Sequence, residues 1–470
     1  MRNQQPSSQT LFPYRDQDLR AVLRLLAEGE CVAVIGLSNF GKSTLLRALQ
    51  TPLAAACYHD LAGAEALFVY VDCNRMLELS PRGFFEATLR AILEALPEDA
   101  ATLRAEVERQ YHIVVNPPND FAAPLAFNNA LVALVEDDAR RVILLLDEFD
   151  EVLAGIEPRI LLNLRALRDK YGPHLCYVIA SVTPPAQSRQ NPLVAEFAEL
   201  FTVGRHYLGP LPPQEALRLA AELFAAANDS LDAPEGEFIL AQAGGHPGLI
   251  QAVVRTLLQV ESGAPQLYQQ QAFALAHAEM EHDRLILSEL ARLWEQLTPQ
   301  EQQAVIDWVT RGETSEEGHK RLLQRGVLVP AEAQGLVPGE GGQPPRLFGQ
   351  LFARFARRKA LTRQGIPSGV WVDTDSGEVW VDGLPVPTLT ELEYRLLLLL
   401  YGRLDKLCDK YQLVEAVWGQ EYLDEVDDAR IEKLVSRLRA KLEANPQAGR
   451  YLVTVRGRGY KLSSTPEAAA

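Results

Sequence analysis

Residues 32 to 44 read Val-Ala-Val-Ile-Gly-Leu-Ser-Asn-Phe-Gly-Lys-Ser-Thr. The span Gly36 to Ser43 fits G-x-x-x-x-G-K-S/T, the pattern of a phosphate-binding loop. Such a loop works only between a buried strand and a helix, so it restricts the fold as well as the ligand. The flanks agree. Cys31 to Ile35 is a short apolar run suited to a buried parallel strand, and Leu45, Leu46 and Leu49 then recur at helical spacing. Backbone N–H groups along Gly36, Asn39, Gly41, Lys42, Ser43 and Thr44 would cradle phosphates, helped by the helix N-terminus. Lys42 would reach the β and γ phosphates, and the Ser43 hydroxyl would hold Mg²⁺. ATP or ADP with Mg²⁺ is the expected ligand. The plain alternative is a glycine-rich turn between strand and helix.

A chain of 470 residues exceeds one ordinary core and predicts three or four domains. The net charge of −16 argues against a uniformly basic nucleic-acid coat, though not against a local basic surface. The five cysteines are scattered without a C-x-x-C pair, which fits buried thiols in a reducing compartment. No apolar run approaches the ~20 residues that span a bilayer, and Met1 to Thr10 has no signal-peptide hydrophobic region. A cytoplasmic protein without membrane contact is expected.

Apolar runs at 67–71, 142–146 and 176–180 read as three further strands, with helical stretches at 80–110 and 126–138 between them. Strands alternating with helices predict a parallel, doubly wound α/β sheet. Ligands of such sheets bind beyond the carboxyl ends of strands, where Gly36, Asp72, Asp147 and Ser181 fall. The segment Arg141-Val-Ile-Leu-Leu-Leu-Asp-Glu-Phe-Asp150 is an apolar strand ending in acids. It would deliver Asp147 beside the Mg²⁺ on Ser43, and Glu148 to orient or deprotonate the attacking water. Taken alone an acidic strand end is common; its pairing with the loop favours the catalytic reading. Ser181 or Thr183 could hydrogen-bond the γ phosphate. Asp72 and Asn74 could wall the water side, and Arg205 is either a transition-state arginine or a surface one.

The core resembles the AAA+/STAND class of signal-transduction ATPases and their Orc/Cdc6-like relatives. Leu208-Gly-Pro-Leu-Pro-Pro-Gln-Glu-Ala216 resembles the entry to their helical lid. Gly245-His-Pro-Gly-Leu-Ile-Gln251 resembles the lid's glycine-x-proline motif, which implies that Pro247 lies near the nucleotide base. Phe12-Pro-Tyr-Arg-Asp16 partly resembles their N-terminal hydrophobic-Gly-Arg-Glu motif, with Tyr14 and Asp16 as departures. A capping box at Thr298-Pro-Gln-Glu301, a helix near 315–325, runs at 327–329 and 346–348, and Arg346-Leu-Phe-Gly-Gln-Leu-Phe352 resemble the winged helix that follows such lids. The expected fold is an α/β P-loop NTPase with a helical lid, followed by two winged-helix domains, of which this resemblance covers only the first. The expected boundaries are 1–209 for the core, 210–283 for the lid and 284–360 for the middle domain. The stretch 357–368, chiefly 361–368, reads as linker.

The remainder, 369–463, opens with a hairpin around 371–381 and a capping box at Thr390-Glu-Leu-Glu393. In the stretch 427–443, Ile431, Leu434, Val435, Leu438 and Leu442 share one helical face. Arg430, Lys433, Arg437 and Lys441 share the other. Strands at 451–455 and 460–462 bracket Arg456-Gly-Arg-Gly459, placing Arg456 and Arg458 at a hairpin tip. A basic helix beside a basic wing is the geometry that reads double-stranded DNA; the plain alternative is a solvated charged face on an ordinary helix. The stretch 366–462 carries 13 Lys and Arg against 16 Asp and Glu, so non-specific affinity should be modest and homo-oligomers would strengthen it. Val381-Asp-Gly, Leu389-Thr-Glu-Leu-Glu-Tyr, Leu413-Val-Glu-Ala-Val-Trp-Gly419 and Thr454-Val-Arg-Gly-Arg-Gly-Tyr-Lys461 resemble the OmpR/PhoB-type effector domain. That resemblance implies that Lys433 and Arg437 face bases or phosphates and that Arg456 serves the wing. The tail 464–470 is expected to be disordered.

The leading expectation is a nucleotide-switched DNA-binding regulator that hydrolyses ATP slowly. Two alternatives stand beside it: an ATP-driven DNA-handling machine of initiator or transposition type, and a stress- or defence-sensing STAND protein.

Overall fold

The computed structural model describes residues 12–136, 140–264, 266, 268–281, 283–330, 345–363, 369–372, 377, 379–381, 384–419, 428–443, 450–455 and 457–467. The chain divides into two compact units, 1–356 and 357–470.

The first unit is built on five strands: β1 Val32–Ile35, β2 Ala66–Asp72, β3 Arg141–Asp147, β4 Leu175–Ser181 and β5 Gly204–Tyr207. Their order across the sheet is β2-β3-β4-β1-β5, and every pair is parallel. All four residues of β1 and all seven of β4 are buried. Each Val, Ile or Leu side chain so buried contributes about 1.5–3 kcal/mol, which is why these strands read as continuous apolar runs. β5 escaped the sequence reading because Gly-Arg-His-Tyr has no apolar run. It is an edge strand whose pairing with β1, rather than its side chains, holds it. The order puts β4 between β1 and β3, so the carboxyl ends carrying Gly36, Ser181 and Asp147 stand side by side.

Helices Pro213–Ala226, Ala233–Ala243, Pro247–Gly263 and Gln269–Met280 follow the sheet. The turn at Gly244 tolerates no side chain. Its φ is 59°, and a Cβ there would fall 1.1 Å from the Phe348 carbonyl oxygen. Helices Arg284–Glu295, Pro299–Arg311 and Glu316–Gln324 come next, then the antiparallel pair Leu328–Val329 and Arg346–Leu347. The Thr298–Glu301 capping box is present in both directions. The tip between those strands lies largely outside the described residues. Residues 357–363, read as linker, instead continue the helix Gln350–Arg363. Arg357, Arg358 and Lys359 are good helix formers, and Gly365 and Pro367 come only afterwards.

In the second unit three short antiparallel strands, Leu384–Pro385, Val379–Val381 and Val370–Val372, precede helices Glu391–Tyr401, Lys410–Val417 and Asp428–Leu442. An antiparallel hairpin, Arg450–Val455 with Gly459–Glu467, closes it. Ile431, Leu434, Val435, Leu438 and Leu442 join one core with Leu396, Leu400, Leu413 and Leu462. The expected tail is shorter than 464–470, because the last strand runs through Glu467 and Arg450 pairs with that residue.

Candidate functional site

Gly41 adopts φ 91° and Asn39 φ 58°, left-handed conformations that fold the loop back on itself. Helix Lys42–Ala48 begins immediately after. Lys42 is 6% exposed, and its ammonium donates to the Gly36 oxygen at 2.9 Å and the Leu37 oxygen at 3.3 Å. Burial pushes its pKa down, while Asp150, Glu148 and Asp147 act to keep the proton on. The loop and the acidic end of β3 therefore share one electrostatic site.

Asp147 is 1% exposed and both its oxygens are held. Tyr70 on β2 donates its hydroxyl to Oδ2 at 2.6 Å, and the Glu148 amide donates to Oδ1 at 3.0 Å. Glu148 sits at φ 51°, a left-handed backbone that is strained for a side-chain-bearing residue, and its side chain is exposed. The residue reaches solvent, yet partial desolvation of its carboxyl raises it above the usual range. Lys42 opposes this, and Asp147, Asp150 and Asp72 reinforce it. Asp150 accepts the Val182 amide with both oxygens at 2.9 Å.

Ser181 is fully buried. Its hydroxyl donates to the Thr183 oxygen at 2.9 Å, and its carbonyl accepts the Gly36 amide at 3.1 Å. Asp72 pairs in register with Asp147 but caps the turn at Asn74, whose amide it accepts at 3.1 Å. Arg205 is exposed on the wall of a cavity of about 820 Å³ shared with Thr183, Lys320 and Arg325. Ser43 and Thr44 open the loop helix. The donor set suits Mg²⁺: one hydroxyl and one oriented carboxylate leave places for phosphate oxygens and water, the usual manner of holding that ion. Among the described residues no group of three His, Cys, Asp or Glu could hold a metal by itself.

Pro247 starts helix Pro247–Gly263, whose N-cap is His246. A Cβ on Gly248 would fall 3.3 Å from Asn39 Nδ2, so this helix start abuts the loop. His246 is fully buried. Its Nδ1 accepts the Leu249 amide at 3.1 Å, which leaves Nε2–H facing the Ser38 oxygen at 3.3 Å and Glu289 Oε1 at 3.5 Å. A ring that accepts at Nδ1 is neutral. Desolvation, with Arg292 and Arg15 nearby, lowers its pKa to about 3. A His depressed in the fold binds its proton only on unfolding, so stability falls as pH drops below ~6.5. The expected loss from this residue between pH 7 and pH 5 is about 2 kcal/mol. Urea titrations of the wild type and His246→Asn, which keeps a capping side chain, should differ in pH slope by about one proton in that window. Identical slopes would rule the assignment out.

Several residues that sequence reasoning missed converge here. Arg15 is 4% exposed and donates to the Phe40 oxygen and, at 2.7 Å, to the Gly209 oxygen, tying the loop to the connection that leaves β5. Its place in Phe12-Pro-Tyr-Arg-Asp16 was the only signal. Arg325, 5% exposed, donates to the Val182 oxygen and lies 3.5 Å from Glu301. Tyr70, Glu289 and Gln296 belong to no pattern that marks them.

In the second unit Lys433 and Arg437 are exposed on helix Asp428–Leu442 and have no ion pair among the described residues. Arg430 is exposed on its first turn, and Arg458 is exposed in the hairpin turn. Lys441 leaves the expected row. Its ammonium donates to Glu393 Oε2 and to the Thr388 oxygen, each at 2.7 Å. Glu393 is a capping-box carboxylate only 3% exposed, and a buried carboxylate takes the nearest cation. Arg439 instead reaches the hairpin, donating to Thr454 Oγ1 at 2.6 Å. Arg456 lies outside the described residues.

Residues 11–178 match the family described as an AAA ATPase domain, and residues 385–462 match the C-terminal domain of transcriptional regulatory proteins. The chain is 36% identical over 181 residues to the sensory transduction protein RegX3 of Mycobacterium leprae, covering 34% of this chain and 90% of that protein. It is 39% identical over 93 residues to RegX3 of Mycolicibacterium smegmatis, covering 20% of this chain and 40% of that protein. A Walker-type ATPase of Pyrococcus abyssi matches 74% of this chain and 96% of its own at 13% identity, with a TM-score of 0.42. No helix among the described residues is long and apolar enough to cross a membrane. The chain belongs to the transcriptional regulatory proteins, with an AAA ATPase domain joined to a C-terminal DNA-binding domain of the OmpR/PhoB type.

Proposed function

We propose that nucleotide state at the loop controls DNA occupancy by the C-terminal domain. One observation carries this reading. The phosphate loop is hydrogen-bonded to the helical region at His246, Glu289 and Gln296. A ligand on the loop would compete with some of those bonds, which gives nucleotide state a route to those helices. ATP would enter with its phosphates on the loop amides and Lys42. Ser43 and Asp147 would hold Mg²⁺, which when bound neutralises charge on the phosphates. Glu148 would orient the water and take its proton. Slow turnover suits a switch, because the bound state must outlast a binding event on DNA. Pairing of two chains on neighbouring half-sites would add avidity to a module of modest charge.

The test is the affinity for double-stranded DNA selected by the isolated C-terminal domain, measured on the full chain with ATP, ADP and no nucleotide. The wild type should show a nucleotide dependence that Lys42→Ala abolishes. Equal affinities under all conditions would sink the coupling.

A further inference from the structure

The loop amides serve phosphate oxygens, yet the Ser38 amide already has an acceptor. It donates to Gln296 Oε1 at 2.8 Å, and Gln296 Nε2 donates back to the Ser38 hydroxyl. Gln296 is the C-cap of helix Arg284–Glu295, the helix whose Glu289 accepts from Asn39 Nδ2 at 3.0 Å. The same glutamine is held from behind. Arg325 donates to its carbonyl oxygen at 3.2 Å and to the Val182 oxygen at the end of β4. Gln296 and Arg325 thus bridge the loop to the side of the site that carries Asp147, Glu148 and Asp150. Hydrolysis needs the terminal phosphate on that side, and a diphosphate stops short of it.

We propose that Gln296 discriminates between nucleoside triphosphate and diphosphate: the third phosphate displaces its side chain from Ser38, whereas ADP leaves it in place. The inference rests on the nucleotide reading of the site. An uncharged amide suits the role. It satisfies the Ser38 amide, and it yields to a phosphate oxygen because a charged acceptor makes the stronger bond. Its departure frees the C-terminal end of helix Arg284–Glu295 from the loop, which gives the third phosphate a direct hold on the helical region.

Two variants carry opposite signs. Gln296→Ala removes two hydrogen bonds that ATP must break and ADP need not, so the ratio of affinities for a non-hydrolysable ATP analogue and ADP should rise about tenfold. Gln296→Glu still accepts the Ser38 amide but sets a carboxylate against the incoming phosphate, so the ratio should fall about tenfold. Calorimetric titration of the full chain with each nucleotide and Mg²⁺ reads both. An unchanged ratio, a shift in the same direction for both variants, or loss of both nucleotides in Gln296→Ala overturns the proposal while the nucleotide site stands. A wild type that binds neither nucleotide overturns both.

Discussion

Replacing Glu148 by glutamine should cut ATP turnover by about 10²–10⁴-fold while nucleotide affinity stays within a few-fold. The size follows from its place. Asp147 is buried with both oxygens occupied, so it can orient a metal but has little freedom to move a proton. Glu148 projects from the same strand end with an exposed side chain and is held there by a left-handed backbone. Its carboxyl is raised by desolvation and by Asp147, Asp150 and Asp72, with Lys42 as the restraint. A raised carboxyl is a stronger base, and glutamine matches its shape without its basicity. Single-turnover hydrolysis beside equilibrium binding separates the two effects. Unaltered turnover would move the base elsewhere; lost binding would make Glu148 a structural residue.

Charge reversal at Lys433 and Arg437 together should lower DNA affinity by about 10²–10³-fold near 0.1 M salt and make the salt dependence shallower by about two ions. Both side chains are exposed on helix Asp428–Leu442, whose opposite face is locked into the core through Ile431, Leu434, Leu438 and Leu442. The change therefore alters the surface and leaves the packing alone. Lys441→Gln is the useful contrast. Its charge is spent on Glu393, so its loss should destabilise the domain with a far smaller effect on DNA. Charge reversal that leaves DNA affinity intact would assign this helix face to some other partner.

Much of the site was legible in advance because its parts are contiguous. The loop, the strand before it and the helix after it occupy one short run. The β3 strand and its acidic end occupy another. Four of the five strands announced themselves as apolar runs; β5 did not, since an edge strand held by backbone pairing needs no such pattern. The basic helix is visible in the sequence too, but its outward row is shorter by Lys441 than periodicity implies. Periodicity gives the face on which Lys441 lies, and only packing brings the buried Glu393 within its reach.

The sequence by itself determined the glycine-rich loop, the acidic strand end, the parallel sheet and the basic C-terminal helix, because each is set by spacing between near neighbours. The tertiary structure alone decided which polar groups meet across the chain. Gln296 reaches Ser38 from 258 residues away, Arg325 reaches Val182 from 143, and Lys441 reaches Glu393 from 48. Local pattern cannot specify such meetings. They arise when buried apolar faces fix how the elements pack, and the polar side chains left at the seams must then find partners.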